Sequence, residues 1–326
     1  MKQEFLFQRK FIAMAVGWAA CLLSLGALAQ AVCPPPPLPL TPEKATQLST
    51  HARDHGVLWK FERNGRAGYL YGTIHVNRLE WLFPGPKTAA AFRDTDTLAL
   101  ELDVLSPEVQ AKVSQPESLG IKTLVLPAPL QQRMNAVAET VCAPVSLLAG
   151  HHAVMQLVTV TIFDARLAGL EAAYGSDFFL AGIAKGVGKP VVGLETPELQ
   201  MRMLLGGGDE ESLELIDSGL AMFESGRQRK QTQRLTEDWA NGNLADLQSF
   251  EQWCECTTTE PERRFMRRIN DDRNAGLAAG IDKLHKEGRR LFVAIGTLHM
   301  AGPKAVTKLL AEMGYKVERV SFDAKP

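Results

Sequence analysis

Two tetrapeptides of the chain have nearly the same sequence, and this repeat strongly constrains how the chain can fold. They are Gly72-Thr73-Ile74-His75 and Gly296-Thr297-Leu298-His299. Each ends an apolar run that predicts a buried β-strand. Since more than two hundred residues separate them, only the tertiary fold could bring the two histidines together. Such a pair indicates a metal or acid/base site, because imidazole is the commonest metal ligand and titrates near neutral pH.

Two glutamates occupy the same kind of position as the two histidines. Glu101 and Glu195 each end a predicted strand, and a Ser/Thr-Pro-Glu sequence that is typical of a helix start follows within five residues. In open α/β sheets, such strand-to-helix loops lie at the carboxyl edge of the sheet, where ligands bind. We therefore expect His75, Glu101, Glu195 and His299 to share one edge of one sheet.

The apolar neighbours of both glutamates suggest a chemical role. An ionised carboxylate among apolar residues is usually paired or bound to a metal. Two histidines with one or two carboxylates can form a catalytic metal site with an open position for water, with one glutamate as general base. Without a metal, either histidine could activate water itself. Arg273 either joins the surface charges around it or acts as a carboxylate clamp.

The pattern of predicted elements indicates an α/β fold, with a mixed central sheet flanked by helices. Asn64-Gly65 predicts a hairpin turn between two of the strands. The sequence also predicts a helical middle region, and the apolar spacing at about 198–280 predicts a helical insertion, including one helix over 239–250. The predicted strands cover residues 58–62, 67–76, 97–103, 189–195, 290–296 and 316–322.

The charge of the chain argues against nucleic acid as a partner. The formal net charge is −1, and a cluster of arginines at 263–268 is followed by two aspartates. A nucleic-acid-binding protein usually carries a clearly basic patch or stripe. We expect a peptide or small-molecule substrate instead.

The amino terminus has the pattern of an export signal. Basic residues precede an uncharged apolar stretch that closes with Ala27-Leu28-Ala29, a small-x-small cleavage site. We predict a signal peptide at 1–29, a proline-rich leader at 30–40 and an α/β domain at 41–326. The protein would then be periplasmic or secreted, with membrane contact only if the signal segment stays uncleaved.

Four cysteines remain after this cleavage: Cys33, Cys142, Cys254 and Cys256. An even number of thiols in an oxidising compartment favours disulfides over metal binding. All four are disulfide candidates, and the sequence leaves three pairings open.

Six segments together resemble the TraB/GumN family, which includes the Tiki-type metalloproteases and is similar in its sheet core to the erythromycin-esterase and ChaN-like proteins. Their order and distances match from about residue 55 to the carboxyl terminus. The segments are Tyr69-Leu70-Tyr71-Gly72-Thr73-Ile74-His75-Val76, Leu98-Ala99-Leu100-Glu101-Leu102-Asp103, Tyr174-Gly175-Ser176-Asp177, the stretch 189–200, Arg273-Asn274, and Val293-Ala294-Ile295-Gly296-Thr297-Leu298-His299 with Gly302.

The resemblance implies an exported metal-dependent hydrolase, a peptidase, with both Gly-x-x-His motifs in one site. The cofactor would be a divalent cation, Mn²⁺, Co²⁺ or Zn²⁺. The alternatives are a metal-independent esterase-type hydrolase with a histidine base, and a non-catalytic binder that uses the same cleft. The implied site residues are the metal ligands His75, His299 and Glu101, the catalytic residues Glu101, Glu195 and Arg273, and the substrate-binding residues Asp177 and Asn274.

Overall fold

A six-stranded mixed sheet organises the protein in this computed structural model, which describes residues 33–37 and 39–322. The predicted signal peptide at 1–29 lies outside the described residues. In the described ranges, no helix is both long enough and apolar enough to span a membrane. The strands are β1 (Leu58–Arg63), β2 (Arg66–Thr73), β3 (Thr97–Leu100), β4 (Val191–Gly193), β5 (Leu291–Gly296) and β6 (Lys316–Arg319).

The sheet has the strand order β4-β3-β5-β2-β1-β6. Strands β4, β3, β5 and β2 run parallel, whereas β1 is antiparallel to both β2 and β6. Asn64 and Gly65 connect β1 to β2 with φ angles of 54° and 75°. Positive φ at both positions is what a two-residue hairpin turn requires. The predicted mixed α/β sheet and its hairpin are both confirmed.

The parallel strands place the two repeated motifs side by side. In the pairing of β2 with β5, Thr73 lies opposite Gly296. Strand β3 pairs with the other edge of β5, and β4 pairs with β3. Parallel strands end at the same edge of a sheet, so the four carboxyl ends lie in the order β4, β3, β5, β2. The shared edge is the arrangement expected from the sequence, whereas the order of the strands was not predicted.

Helices surround the sheet and fill the long connections. A π-helical stretch, Arg267–Asp271, and a 3₁₀-helix, Thr297–Met300, interrupt the α-helical pattern. The α-helices are α1 (Pro42–Thr50), α2 (Pro86–Arg93), α3 (Pro107–Ser114), α4 (Ala128–Thr140), α5 (Ala153–Arg166), α6 (Ser176–Gly186), α7 (Pro197–Leu205), α8 (Asp209–Glu224), α9 (Arg227–Ala240), α10 (Leu244–Gln248), α11 (Phe250–Trp253), α12 (Glu260–Met266), α13 (Asp272–Lys286) and α14 (Val306–Glu312).

Each face of the sheet is covered by its own apolar cluster. On one face, helices α13 and α14 pack Ile281 and Leu310 against the inward side chains of β5 and β1. On the other face, α2 and α6 pack Phe92 and Leu180 against Phe292 and its neighbours. Burying each such side chain stabilises the fold by about 1.5–3 kcal/mol relative to leaving it in water. This double cover holds the strands in register and therefore fixes where their carboxyl ends lie.

A third apolar cluster lies in the helical part of the chain. Its buried residues come from α4 and α5 as well as from α7 and α8, and include Met134, Val160, Ile216 and Leu220. The helical layer therefore packs the helical middle of the chain against helices of the predicted insertion at 198–280. The single helix predicted at 239–250 is wrong, because α9 ends at Ala240 and Gly242 follows with φ 61°.

Candidate active site

A cavity of about 440 Å³ opens at the carboxyl ends of the parallel strands. His75, Glu101, Arg273 and His299 line it together with apolar side chains from the helical layer. A wider depression of about 520 Å³ lies around the amino end of β2, where its lining side chains include Lys60 and other surface residues. Four of the site residues singled out by the sequence therefore line the first cavity, and none of the predicted site residues lines the second.

The first repeated motif is held by the amino end of α6. The Ile74 N–H donates to Ser176 Oγ at 2.9 Å, and the Ser176 N–H donates back to the Ile74 carbonyl at 2.9 Å. His75 Nδ1 lies 2.9 Å from Asp177 Oδ2, and the His75 side chain is 72% exposed. The Asp177 charge and this hydrogen bond raise the pKa of His75 to about 9. A carboxylate cannot donate, so Nδ1 carries a proton; at neutral pH Nε2 is protonated as well, and it can bind a metal only after it releases that proton.

The second repeated motif is held by α13 and is almost fully buried. His299 lies in the 3₁₀-helix Thr297–Met300, with its side chain only 5% exposed. Its Nδ1 lies 2.6 Å from Asn274 Oδ1, while Asn274 Nδ2 donates to the Lys304 carbonyl at 2.9 Å. That second bond orients the amide, so Nδ1 of His299 is the donor and Nε2 is left with a lone pair. Burial lowers the pKa of His299, which favours this neutral form.

Glu101 joins the two motifs at the floor of the cavity. Its Oε1 accepts a hydrogen bond of 2.7 Å from the Gly296 N–H and lies 3.6 Å from His299 Nε2. Burial alone would raise the pKa of Glu101, but the charges of Arg273 and His75 and the hydrogen bond from the Gly296 N–H lower it to about 2. Glu101 is therefore an ionised carboxylate at neutral pH, although its side chain is only 13% exposed.

Arg273 binds both glutamates at once. Its Nε donates to Glu195 Oε1 at 2.9 Å, and its Nη2 donates to Glu195 Oε2 at 2.5 Å and to Glu101. Its Nη1 donates to the Ile269 carbonyl at 2.9 Å, a group of the π-helical stretch. Gln200 Nε2 completes the cluster, with bonds of 3.1 Å to Glu101 and 2.9 Å to Glu195. The guanidinium thus clamps the protein's own carboxylates.

The donor atoms at this site suit a divalent cation in their chemistry. Each imidazole donates from Nδ1 to an outer oxygen, of Asp177 or Asn274, which is the usual support of a metal-binding histidine. Two ligands at about 2.1 Å from a tetrahedral ion lie about 3.4 Å apart, close to the His299–Glu101 separation of 3.6 Å. Among the residues that the structure describes, however, no group of three His, Cys, Asp or Glu side chains is arranged to hold an ion.

Two buried hydroxyls lie beside this cluster. Thr73 Oγ1 and Thr297 Oγ1, one from each repeated motif, are buried without a hydrogen-bond partner among the described residues. Both threonines also line the cavity. Buried hydroxyls are normally satisfied by protein, water or an ion. These two hydroxyls can therefore still donate and accept hydrogen bonds, because no described residue pairs with them.

Three predicted site residues have surroundings that differ from the expected roles. Asn274 is fully buried, so it positions His299 and has no surface to offer a substrate. Asp177 binds His75, and Glu195 is only 2% exposed and saturated by Arg273 and Gln200. These contacts assign positioning tasks to Asn274, Asp177 and Glu195, and leave Glu101 as the carboxylate that faces the cavity.

Gln200 and Ser176 contact the candidate site, although sequence reasoning assigned no role to either. Both lie inside segments that resemble the family, and Gln200 comes five residues after Glu195, in the first turns of α7. That short distance from a strand-end acid was the available signal. The disulfide candidates lie away from the cavity: Cys254 bonds to Cys256, and Cys33 and Cys142 are each disulfide-bonded.

Comparisons with known proteins agree with this geometry at the level of the family. A search of curated proteins and a search of solved structures each returned no match. The model of the TraB/PrgY/gumN family matches residues 57–319, which include all six strands and every residue of the site. The chain therefore belongs to the TraB/PrgY/gumN family.

Proposed function

We propose that the protein is an exported metal-dependent hydrolase that cleaves peptide bonds. One observation carries the proposal: two imidazoles, each with Nδ1 fixed by an outer oxygen, line one cavity with an ionised carboxylate. His75, His299 and Glu101 are the ligands. The described residues hold no preformed group of three, so the His75 side chain, which is 72% exposed, would have to rotate to complete the set.

A divalent cation bound there would lower the pKa of a bound water and polarise a substrate carbonyl. Mixed imidazole and carboxylate ligands accept Mn²⁺, Co²⁺ or Zn²⁺. The protein's own contribution is to keep Glu101 ionised and oriented through Gly296, Gln200 and Arg273. Glu195 is also paired with Arg273, so the positive charge of the guanidinium stays neutralised when Glu101 binds the metal.

The proposed location is the periplasm or the exterior of the cell. The export pattern at 1–29 supports it, and so does the Cys254–Cys256 disulfide, because disulfides persist in oxidising compartments. The proposed partners are peptide or small-molecule substrates and exclude nucleic acid.

The test combines metal analysis with hydrolysis assays. Wild-type protein is loaded with Mn²⁺, Co²⁺ or Zn²⁺ and compared with His75→Ala, His299→Ala and Glu101→Gln on a peptide library. We expect stoichiometric metal and cleavage in the wild type and loss of both in each variant. Wild type that holds no stoichiometric metal under any supplementation contradicts the proposal. Stoichiometric metal without any cleavage would favour a non-catalytic binder.

The fixed tautomer of His299 favours a second candidate, hydrolysis without metal. Asn274 holds the proton on Nδ1, so the Nε2 lone pair can accept a proton from a water in the cavity. The His299 ring would then be the general base for an ester or amide. Cleavage that survives EDTA but disappears in His299→Ala would select this candidate over the first.

A further inference from the structure

The cavity at the candidate active site has two chemically different sides. Its polar side carries the twin histidines, Glu101 and Arg273, whereas nine of its lining side chains are apolar. The apolar ones come mostly from the helical layer and include Met201, Met203 and Met266. None of the described charged residues that line the cavity lies on the apolar side.

The apolar side lies next to the two histidines of the candidate active site. Ile74 and Leu298, the third residues of the two repeated motifs, line the cavity directly beside His75 and His299. The π-helical stretch adds Ile269, whose carbonyl binds Arg273 at 2.9 Å. A substrate group bound on the apolar side would therefore lie next to the substrate bond that faces the two histidines.

The charged side chains of the cavity leave little for a charged substrate group. Arg273 is occupied by Glu101, Glu195 and the Ile269 carbonyl. A carboxylate or ammonium in this part of the cavity would lose its hydration without gaining an ion pair, which is unfavourable. The apolar side thus selects against charge as well as for hydrophobic surface.

The size and the borders of the cavity indicate one side chain and not a long acyl chain. Its volume of about 440 Å³ lies at the small end of ligand sites. Next to it, beyond Met266 and Leu298, a cleft of about 220 Å³ mixes apolar side chains such as Leu247 and Phe250 with polar ones such as Gln248, Gln252 and Asp271. Polar groups that can bind a peptide backbone therefore lie beside the apolar side, which suits an apolar side chain on a polar peptide backbone.

We propose that the apolar side is the specificity pocket of the enzyme and receives an uncharged hydrophobic side chain next to the scissile bond. This inference rests on the proposed peptidase function. Methionine side chains adapt to different shapes, so the pocket accepts Leu, Met and Phe alike. Burial of such a side chain increases affinity by about tenfold to hundredfold over a charged residue of similar size.

The experiment measures binding apart from hydrolysis. Blocked tripeptides acetyl-Ala-X-Ala-amide, with X as Leu, Met, Phe, Asp or Lys, are titrated into metal-free protein in EDTA. We expect Leu, Met and Phe to bind at least about tenfold tighter than Asp or Lys. Equal affinities for all five overturn the inference, and so does binding of decanoate without binding of any tripeptide.

Variants at Met203 make the test independent of folding. Met203→Lys should weaken binding of the Leu peptide and strengthen binding of the Asp peptide, a gain that an unfolded protein cannot show. Met203→Leu should keep the wild-type preference, and Val187→Glu controls for an added charge at a site that is 67% exposed and outside the cavity. An unchanged preference in Met203→Lys contradicts the inference.

The two proposals can fail separately. If the Leu peptide binds selectively but no peptide is cleaved with any metal, the specificity pocket stands and the peptidase function fails. If peptides are cleaved with metal but without preference at X, the peptidase function stands and the specificity pocket fails.

Discussion

The two Gly-Thr-x-His motifs have nearly the same sequence and lie on neighbouring parallel strands, yet their surroundings differ greatly. His299 is 5% exposed, lies in a 3₁₀-helix and is held by the amide of Asn274. His75 is 72% exposed, lies just beyond the end of β2 and is held by the carboxylate of Asp177. Their pKa values accordingly shift in opposite directions, up for His75 and down for His299.

This difference teaches that the site has a fixed half and an open half. The core fixes the position of His299 and, through Gly296, that of Glu101. The open half depends on one exposed ion pair, which leaves the His75 ring accessible to an incoming ligand. In the proposed hydrolase, such a division would let one half keep the geometry while the other admits the substrate.

The strongest test of the comparison asks whether both halves matter equally for metal binding. His75→Ala and His299→Ala should each lower metal affinity by more than about 100-fold, because each removes a proposed metal ligand. Loss of a residue that only hydrogen-bonds to a ligand costs about 10-fold to 100-fold. Isothermal titration with Zn²⁺ or Mn²⁺ measures this. His151→Ala is the matched control, since His151 is exposed and outside the cavity. Loss of metal affinity in only one of the two variants would show that the two motifs do not form one metal site.

The two halves should contribute unequally to folding stability, although we expect them to contribute equally to metal binding. In metal-free protein, His299→Ala should lower the free energy of unfolding by about 3 kcal/mol, because it leaves a cavity and an unpartnered Asn274 oxygen. His75→Ala should change it by less than about 0.5 kcal/mol, as expected for an exposed side chain. Urea denaturation in EDTA provides the measurement. Equal losses of unfolding free energy in the two variants would contradict the division into a fixed half and an open half.

The first glycines of the motifs offer a comparison of backbone packing. A Cβ at Gly72 would lie 2.7 Å from Thr297 Oγ1 and from Val57, whereas at Gly296 the nearest atom is Glu101 Oε1 at 3.2 Å. Gly72→Ala should therefore destabilise the fold by about 2 kcal/mol, and Gly296→Ala by less. Thermal unfolding of the two variants tests this order. A larger loss for Gly296→Ala would contradict the strand register.

The smallest expected effect concerns the charge of His75. Asp177→Asn should lower the pKa of His75 from about 9 toward its ordinary value near 6.5, as measured by NMR titration of metal-free protein. A raised pKa stabilises the fold at pH below 6.5, and this contribution is lost as the pH rises through 9. Because the ring is largely exposed, we expect only about 0–1 kcal/mol. An unchanged pKa would show that Asp177 does not hold the ring.

Local sequence was sufficient to predict the elements that carry the site. The apolar runs before His75, Glu101 and His299 predicted strands, and the structure has strands that end at Thr73, Leu100 and Gly296. Asn64-Gly65 predicted a hairpin because few residue pairs adopt two positive φ angles. These predictions succeeded since each depends on residues a few positions apart.

The predictions failed where distant packing decides the structure. The sequence predicted a helical middle region, but it did not predict that the apolar faces of α4 and α5 are buried against α7 and α8. Gln200 was missed for the same reason, since its role exists only after β3 and β4 bring Glu101 and Glu195 together. The local pattern alone left Arg273 open between the surface and the site, and only the resemblance to the family implied a place in the site.

The sequence by itself determined that the chain has two matching histidine motifs and two strand-end glutamates, all in strand-to-helix connections. Only the tertiary structure decided that the strands lie in the order β4, β3, β5, β2, so that all four connections meet at one edge. It also decided that one histidine is buried and the other exposed. The physical reason is that exposure and ion pairing depend on α6 and α13, which pack against the motifs from about 100 and 25 residues away along the chain.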